Sequence, residues 1–219
     1  MRAIRRPRCD SRRVREVICG DGIAFLANRL PDDHALITSL PDVSEMGMTL
    51  PVWRDWFVET VALGCRAIGD ASVAIFYQTD IKHDGAWIDK GHLVHTRFDR
   101  AGMRLLWHKI VCRVAAGHTT FGRPAYAHVL CASRALKLDP GASTPDVLPE
   151  LGEMSWSRAM GRAACTMAID FVIAQTKCTT IVDPFCGHGS ILAAANAKGL
   201  SAIGVELSKR RAAKARLLR

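Results

Sequence analysis

The run Asp183-Pro184-Phe185-Cys186-Gly187-His188-Gly189-Ser190 follows the apolar segment Thr179 to Val182 and opens a helical pattern at Ile191. Glycines at such a turn let the backbone approach a ligand closely, and the N–H groups at a helix start favour an anion. Glu206 ends the next apolar run, Ala202 to Val205, where a carboxylate can accept from both hydroxyls of a ribose. A turn, a helix and an acid at the next strand end specify a nucleoside cofactor. His188 is expected to point away from the loop and to have no catalytic role.

Three further groups carry polar chemistry. Ser39-Leu40-Pro41-Asp42 stands at the end of the apolar run Ala35 to Thr38, and Pro41 stops regular structure there. Tyr77-Gln78-Thr79-Asp80-Ile81-Lys82 ends a third apolar run, which puts Asp80 and Lys82, together with Lys90, on the expected substrate side. Arg123, between Gly122 and Pro124, can contact phosphate or be a solvated loop residue. His92 and His95 have a spacing that suits a metal, but no second ligand pair lies nearby, so no metal is expected. The eight cysteines form no C-x-x-C pair and are expected to be reduced thiols.

These residues need a frame that brings strand ends together. Val17 to Cys19 reads as a strand, and Ile23, Phe25, Leu26 and Leu30 mark a short helix after Gly20-Asp21. Leu50 to Cys65 has helical spacing of Trp53, Trp56, Phe57, Val61 and Leu63, and Gly69-Asp70 separates it from the β-rich run Ala71 to Thr79. A helical stretch after Gly91 reaches Ala101, strands surround Arg104 to Arg113 and Ala125 to Arg134, and Ala115 to Pro124 is a hairpin loop. Leu138 to Gly152, with three Pro and two Gly, is the expected flexible segment, and residues 159 to 175 are helical. Strands alternating with helices predict a mostly parallel sheet covered on both faces, with ligands at the C-terminal strand ends.

The net charge of +9 is segregated. Residues 1 to 16 hold seven Arg against two acids, residues 209 to 219 hold six Lys or Arg against none, and the rest holds 17 basic and 19 acidic residues. Basic ends of this kind predict a polyanionic partner, with solvated tails as the alternative. No apolar run approaches the roughly 20 residues needed to cross a bilayer, so a soluble, cytoplasmic protein without a membrane partner is expected.

Asp-Pro-Phe-x-Gly-x-Gly followed by Ala-Ile-Gly-Val-Glu resembles the cofactor half of the S-adenosylmethionine-dependent amino-methyltransferases of DNA and RNA adenine and cytosine type. The resemblance spans nearly the whole chain, in the circularly permuted order with the target motif first. It implies a Rossmann-like class I α/β fold with a mostly parallel seven-stranded sheet, built from residues 17 to 219 behind a basic arm at 1 to 16. It implies S-adenosylmethionine bound by Asp21, Ser39, Trp156, Ser157, Asp183, Pro184, Phe185, Gly187, Gly189, Ser190 and Glu206. Asp21 would take the adenine, and Trp156-Ser157 would cover the methionine end.

Ser39-Leu40-Pro41-Asp42 falls where the family has Asp, Asn or Ser, then Pro-Pro, then an aromatic. Ser39 and Pro41 fit, whereas Leu40 replaces a proline and Asp42 replaces the aromatic that stacks on the flipped base. Asp42 could instead accept a proton during transfer, with Glu45 as a second candidate and a helix cap as the alternative role. Trp53, Trp56 or Trp87 could supply the stacking face or be core. The expected catalytic residues are thus Ser39, Pro41 and Asp42, and the substrate contacts Asp80, Lys82, Lys90 and Arg123.

The expected reaction is methyl transfer to a nucleobase, with RNA such as tRNA ahead of DNA, because 219 residues leave no room for a separate target-recognition region. The alternatives are a DNA amino-methyltransferase relying on a protein partner or a homodimer, a small-molecule methyltransferase, and a fold that binds without catalysis. Because the chain starts before one edge strand and ends after the helix leading to it, both basic ends should lie together.

Overall fold

The computed structural model describes residues 14–219, so most of the expected basic arm lies outside the described residues. The chain runs β1 (Arg15–Cys19), α1 (Gly22–Leu26), β2 (His34–Thr38), α2 (Val43–Met46), α3 (Leu50–Ala67) and β3 (Ala74–Gln78). It continues with β4 (Ile81–His83), β5 (Ala86–Ile88), α4 (Lys90–Arg100), β6 (Arg104–Cys112), β7 (Tyr126–Ser133) and β8 (Val147–Leu148). The last part is α5 (Arg162–Gln175), β9 (Thr180–Asp183), α6 (Ser190–Ala197), β10 (Ser201–Glu206) and α7 (Lys209–Leu217).

The main sheet has eight strands in the order β1-β10-β9-β2-β3-β7-β6-β8, one more than expected. β1, β10, β9, β2 and β3 are parallel neighbours, and β7 is antiparallel to both β3 and β6. The extra strand is β8, in the segment expected to be flexible. Val147 and Leu148 pair with Ile110 and Val111, and the Lys109 ammonium donates to the carbonyls of Thr144 (2.9 Å) and Pro145 (2.8 Å). Two residues are too short for periodicity to show, so only pairing with β6 reveals the strand. A separate hairpin, β4 with β5, also escapes the sequence reading, although Asp84 (φ 48°) and Gly85 (φ 76°) make the Asp-Gly turn that suits such hairpins.

Both faces of the sheet are covered, which is why its central strands read as unbroken apolar runs. Alternate side chains face opposite layers. Ala35, Ile37, Ile75 and Tyr77 pack under Cys165, Ile169, Val172 and Ile191 of α5 and α6. Leu36, Ala74 and Phe76 pack under Trp53, Phe57, Val61 and Cys65 of α3 and Phe98 of α4. The α3 stripe recurs at four-residue intervals, which aligns it along one helix face.

The described termini meet. The Arg15 guanidinium donates to Asn196 Oδ1 (2.6 Å) and to the carbonyls of Ala215 (3.3 Å) and Leu218, while Arg216 Nη2 donates to the Val17 carbonyl at 2.8 Å. The start of β1 therefore lies against α7, as expected from the strand order. Among the described residues no helix is long and apolar enough to cross a membrane.

Candidate functional site

The chain leaves β9 toward β10 on one side and leaves β2 toward β3 on the other, so the gap between β9 and β2 is the point where the winding reverses. Ligands of parallel α/β sheets bind there, outside the carboxyl ends of the strands. Asp183 ends β9 and Ser39 follows β2, and the two strands are tied by the Thr38 hydroxyl, which donates to Asp183 Oδ1 at 2.7 Å. The Phe185 N–H donates to the same oxygen at 3.1 Å. Burial nevertheless pushes the Asp183 carboxyl up to about 7, because desolvation outweighs both donors.

A cavity of about 420 Å³ opens at this point. Gly20, Asp21 and Gly22 line it from the end of β1, Ser39 to Pro41 from the end of β2, and Pro184 to Gly187 from the loop after β9. Glu206 lines it at the end of β10, and its Oε1 accepts from Ser208 N (2.7 Å) and faces Arg211 Nε (3.5 Å). Asp21 caps α1, accepting from Ile23 N at 2.8 Å. Gly22 has no room for a side chain, since a Cβ would sit 2.1 Å from the Pro184 carbonyl oxygen. Gly187 has φ 54° and faces Trp156, whose indole stacks on His188 at 4.5 Å. The cavity is large enough for a nucleoside-sized ligand.

A second, polar cavity of about 50 Å³ adjoins the first and shares Ser39, Leu40, Glu45, Arg158 and Ala159 with it. Asp42, Lys90, Arg113, Arg123, Tyr77 and Thr79 also line it. Asp42 is the hub. Lys90 Nζ donates to its Oδ1, and Arg123 Nη2 donates to its Oδ2 at 2.6 Å. Burial pulls the Lys90 ammonium below the ordinary lysine range, although Asp42 beside it opposes the shift. Glu45 is paired with Arg158 at 2.7 Å. The Trp53 indole N–H, in the core, donates to the Pro41 carbonyl at 3.1 Å and fixes the tetrapeptide from below.

No family model matches the chain, and no curated protein matches it significantly. Solved structures do. A crystal structure of a Thermus thermophilus protein, described as a candidate DNA modification methylase in complex with S-adenosyl-L-methionine, superposes with TM-score 0.69 and 17% identity, covering 93% of each chain. The PvuII DNA methyltransferase, cytosine-N4-specific, gives TM-score 0.70 at 14% identity over 93% of this chain and 85% of that one. The M1.HpyAVI complex with the same cofactor gives 0.61 at 11% over 93% and 98%. This is the class I methyltransferase fold.

Within the methyltransferase fold, most of the expected cofactor residues line the large cavity: Asp21, Ser39, Trp156, Asp183, Pro184, Phe185, Gly187, Ser190 and Glu206. Two do not. Ser157 lines the second cavity instead, and Gly189 (φ 84°) turns its open side against Ala215 of α7, so it lets the loop pack rather than facing the cavity. Pro41 lines the large cavity beside Ser39.

The expected substrate contacts fare differently. Arg123 bonds Asp42, because a buried carboxylate offers it a charge-assisted bond, and its side chain stays 39% exposed. Lys90 is buried in the same cluster. Asp80 is buried too, accepting from Lys90 N (2.8 Å) and meeting His128 Nε2 (3.1 Å), so it braces the start of α4. Burial raises its carboxyl, yet these donors bring it below the ordinary range. Lys82 lies over the exposed Trp87 ring at 4.9 Å and lines neither cavity. Asp42 stands at the N-cap of α2, where its N–H donates to Glu45 Oε1 at 3.3 Å, and both its carboxylate oxygens accept from cations, so it ties the tetrapeptide to Lys90 and Arg123.

Of the three tryptophans expected as candidates for stacking, Trp53 is core, Trp56 lines the large cavity edge-on to Phe185 (5.9 Å), and Trp87 is exposed. Potential metal ligands meet at Asp80, Asp89 and His128 rather than at His92 and His95. Hydrogen bonds within the fold account for that cluster, since Asp89 caps α4 through His92 N at 2.7 Å. Sequence reading passed over Arg113, Arg158 and Arg211, which line the cavities from loops and from α7, where a lone arginine carries no periodic or spacing signal.

Proposed function

We propose that the protein is an S-adenosylmethionine-dependent methyltransferase that acts on an exocyclic amine of a nucleobase in DNA. The observation that carries this reading is the convergence of Asp21, Ser39, Asp183 and Glu206 on one cavity at the reversal point of a methyltransferase fold. The donor set fits the cofactor. Glu206 would accept from the ribose hydroxyls, Asp21 would accept from the adenine amine, and Trp156, beside the close-packed Gly187, would close the methionine end. When bound, S-adenosylmethionine supplies an electrophilic methyl group.

The chain's own part is to present the amine. Ser39 Oγ and the Leu40 carbonyl accept its hydrogen bonds and make the lone pair available, since the Pro41 carbonyl already receives Trp53. The base enters at the second cavity, which at about 50 Å³ must widen to take it, and there Tyr77, Thr79 and the Asp42, Lys90 and Arg123 cluster replace the missing aromatic with polar contacts. Residues 15 to 219 form one domain in circularly permuted order, since β1 takes Arg15 and Glu16 out of the arm expected at 1 to 16. The parallel pairing of β10 with β1 supports that order, because α7 then leads back to the first strand. Free described cysteines accord with the cytoplasm.

DNA takes precedence over RNA because the similar solved proteins are described as DNA methyltransferases. RNA is the second reading, favoured by the meeting of basic termini at Arg15 and α7, which suits a folded backbone. The test is transfer of labelled methyl from S-adenosylmethionine to genomic DNA and, separately, to total RNA, with nucleoside analysis of the product. Label in a methylated amine of a DNA base is expected. Label in RNA alone would replace DNA as substrate, and cofactor binding without label in either would overturn nucleobase transfer.

A further inference from the structure

A phenylalanine stands in solvent two residues before Arg123, which lines the second cavity. The loop joining β6 to β7 is closed at its base, where Arg113 N and Val114 N donate to the Ala125 carbonyl at 2.7 and 3.3 Å. Both ends of the loop reach the cavity, since Arg113 lines it and Arg123 bonds Asp42 inside it. Between them the backbone turns through Gly117 (φ 86°) and Gly122 (φ 80°), and Phe121 is 91% exposed, more than any other large apolar side chain among the described residues. Residues 114 to 124 hold no acid and carry His118 and Arg123.

An exposed apolar residue by itself is ordinary on a protein surface. Here the ring sits two residues from an arginine anchored in the candidate base cavity, on a glycine-flanked tip free of carboxylates that would repel phosphates. We propose that Phe121 is a wedge that enters the base stack of duplex DNA and fills the space left by the nucleotide whose base moves into the second cavity. The proposal rests on the nucleobase-methyltransferase reading. A base inside a duplex cannot reach a pocket unless it is extruded, apolar side chains inserted at a base step promote that unstacking, and an aromatic face stacks on any base. Arg113 and Arg123 hold the two ends of the loop at the second cavity, and Phe121 is carried on the segment that joins them.

The experiment compares the full chain with Phe121→Ala and Phe121→Trp, using native and heat-denatured genomic DNA as probes and labelled S-adenosylmethionine as donor. In denatured DNA the base needs no extrusion. Phe121→Ala is expected to lower transfer to native DNA about tenfold while changing transfer to denatured DNA less than about twofold, and Phe121→Trp to restore the native rate. Equal loss on both forms, or no loss on either, overturns the wedge while leaving methyl transfer intact. A wild-type chain that labels neither form overturns the DNA reading, and the wedge with it.

Discussion

Asp42 and Arg123 lie 81 positions apart and meet at 2.6 Å, on a carboxylate whose other oxygen holds the buried Lys90. The pair joins the tetrapeptide after β2 to the loop before β7. It also places a charge where this kind of site is expected to have an aromatic ring, so the tetrapeptide is positioned by ion pairs from the opposite wall.

Removing Asp42 leaves the Lys90 ammonium buried without its partner. Asp42→Ala is expected to destabilise the fold by about 3–5 kcal/mol in urea unfolding, and the double variant Asp42→Ala with Lys90→Met to recover most of that loss. Equal stability of single and double variants would show that the buried pair does not form.

Asp183 gives stability a pH dependence of known sign. Its carboxyl titrates at about 7 in the fold, against an ordinary aspartate value of 3.8, so the folded state holds a proton that the unfolded chain releases. Stability from this group is present at low pH and lost as pH rises from about 4 to about 7. In Asp183→Asn the amide oxygen can still accept from Thr38 and Phe185 N. The variant should gain about 2 kcal/mol relative to wild type between pH 5 and 8, measured by thermal or urea unfolding. A constant difference across that range argues against a buried, protonated Asp183.

Gly187 tests the cofactor loop. A Cβ there would stand 3.0 Å from the Trp156 ring at a positive φ, so Gly187→Ala should weaken S-adenosylmethionine binding about tenfold by calorimetry. Gly102→Ala is the control, since Gly102 also has positive φ (65°) but nothing lies near its Cβ. It should lower stability by about 1 kcal/mol and leave binding unchanged. Equal binding losses would trace the effect to backbone strain alone.

The basic face of α7 should act through phosphates. Lys209, Arg210 and Lys214 are exposed, so their joint replacement by Ala should weaken duplex binding and flatten its salt dependence by about 0.9 in log–log slope for each phosphate no longer neutralised. An unchanged slope in filter-binding or anisotropy titrations would remove α7 from the nucleic-acid surface.

The cofactor half was legible because its signals are local. A glycine turn between strand and helix, with Glu206 at the next strand end, specifies its own geometry, and nine of the expected residues do line one cavity. The alternation of apolar runs likewise dictated a parallel sheet covered on both faces. Contacts between distant segments left no such trace. Nothing near Arg123 announces that it bonds Asp42, nothing near Asp80 announces His128, and β8 exists only through β6. Gly189 and Ser157 sit in the expected motif yet face α7 and the second cavity, because backbone direction at a turn is set by what packs behind it. The sequence by itself determined which strand ends carry chemistry, through residue type and spacing. The tertiary structure alone decided which charges meet, because ion pairs follow burial and distance rather than order along the chain.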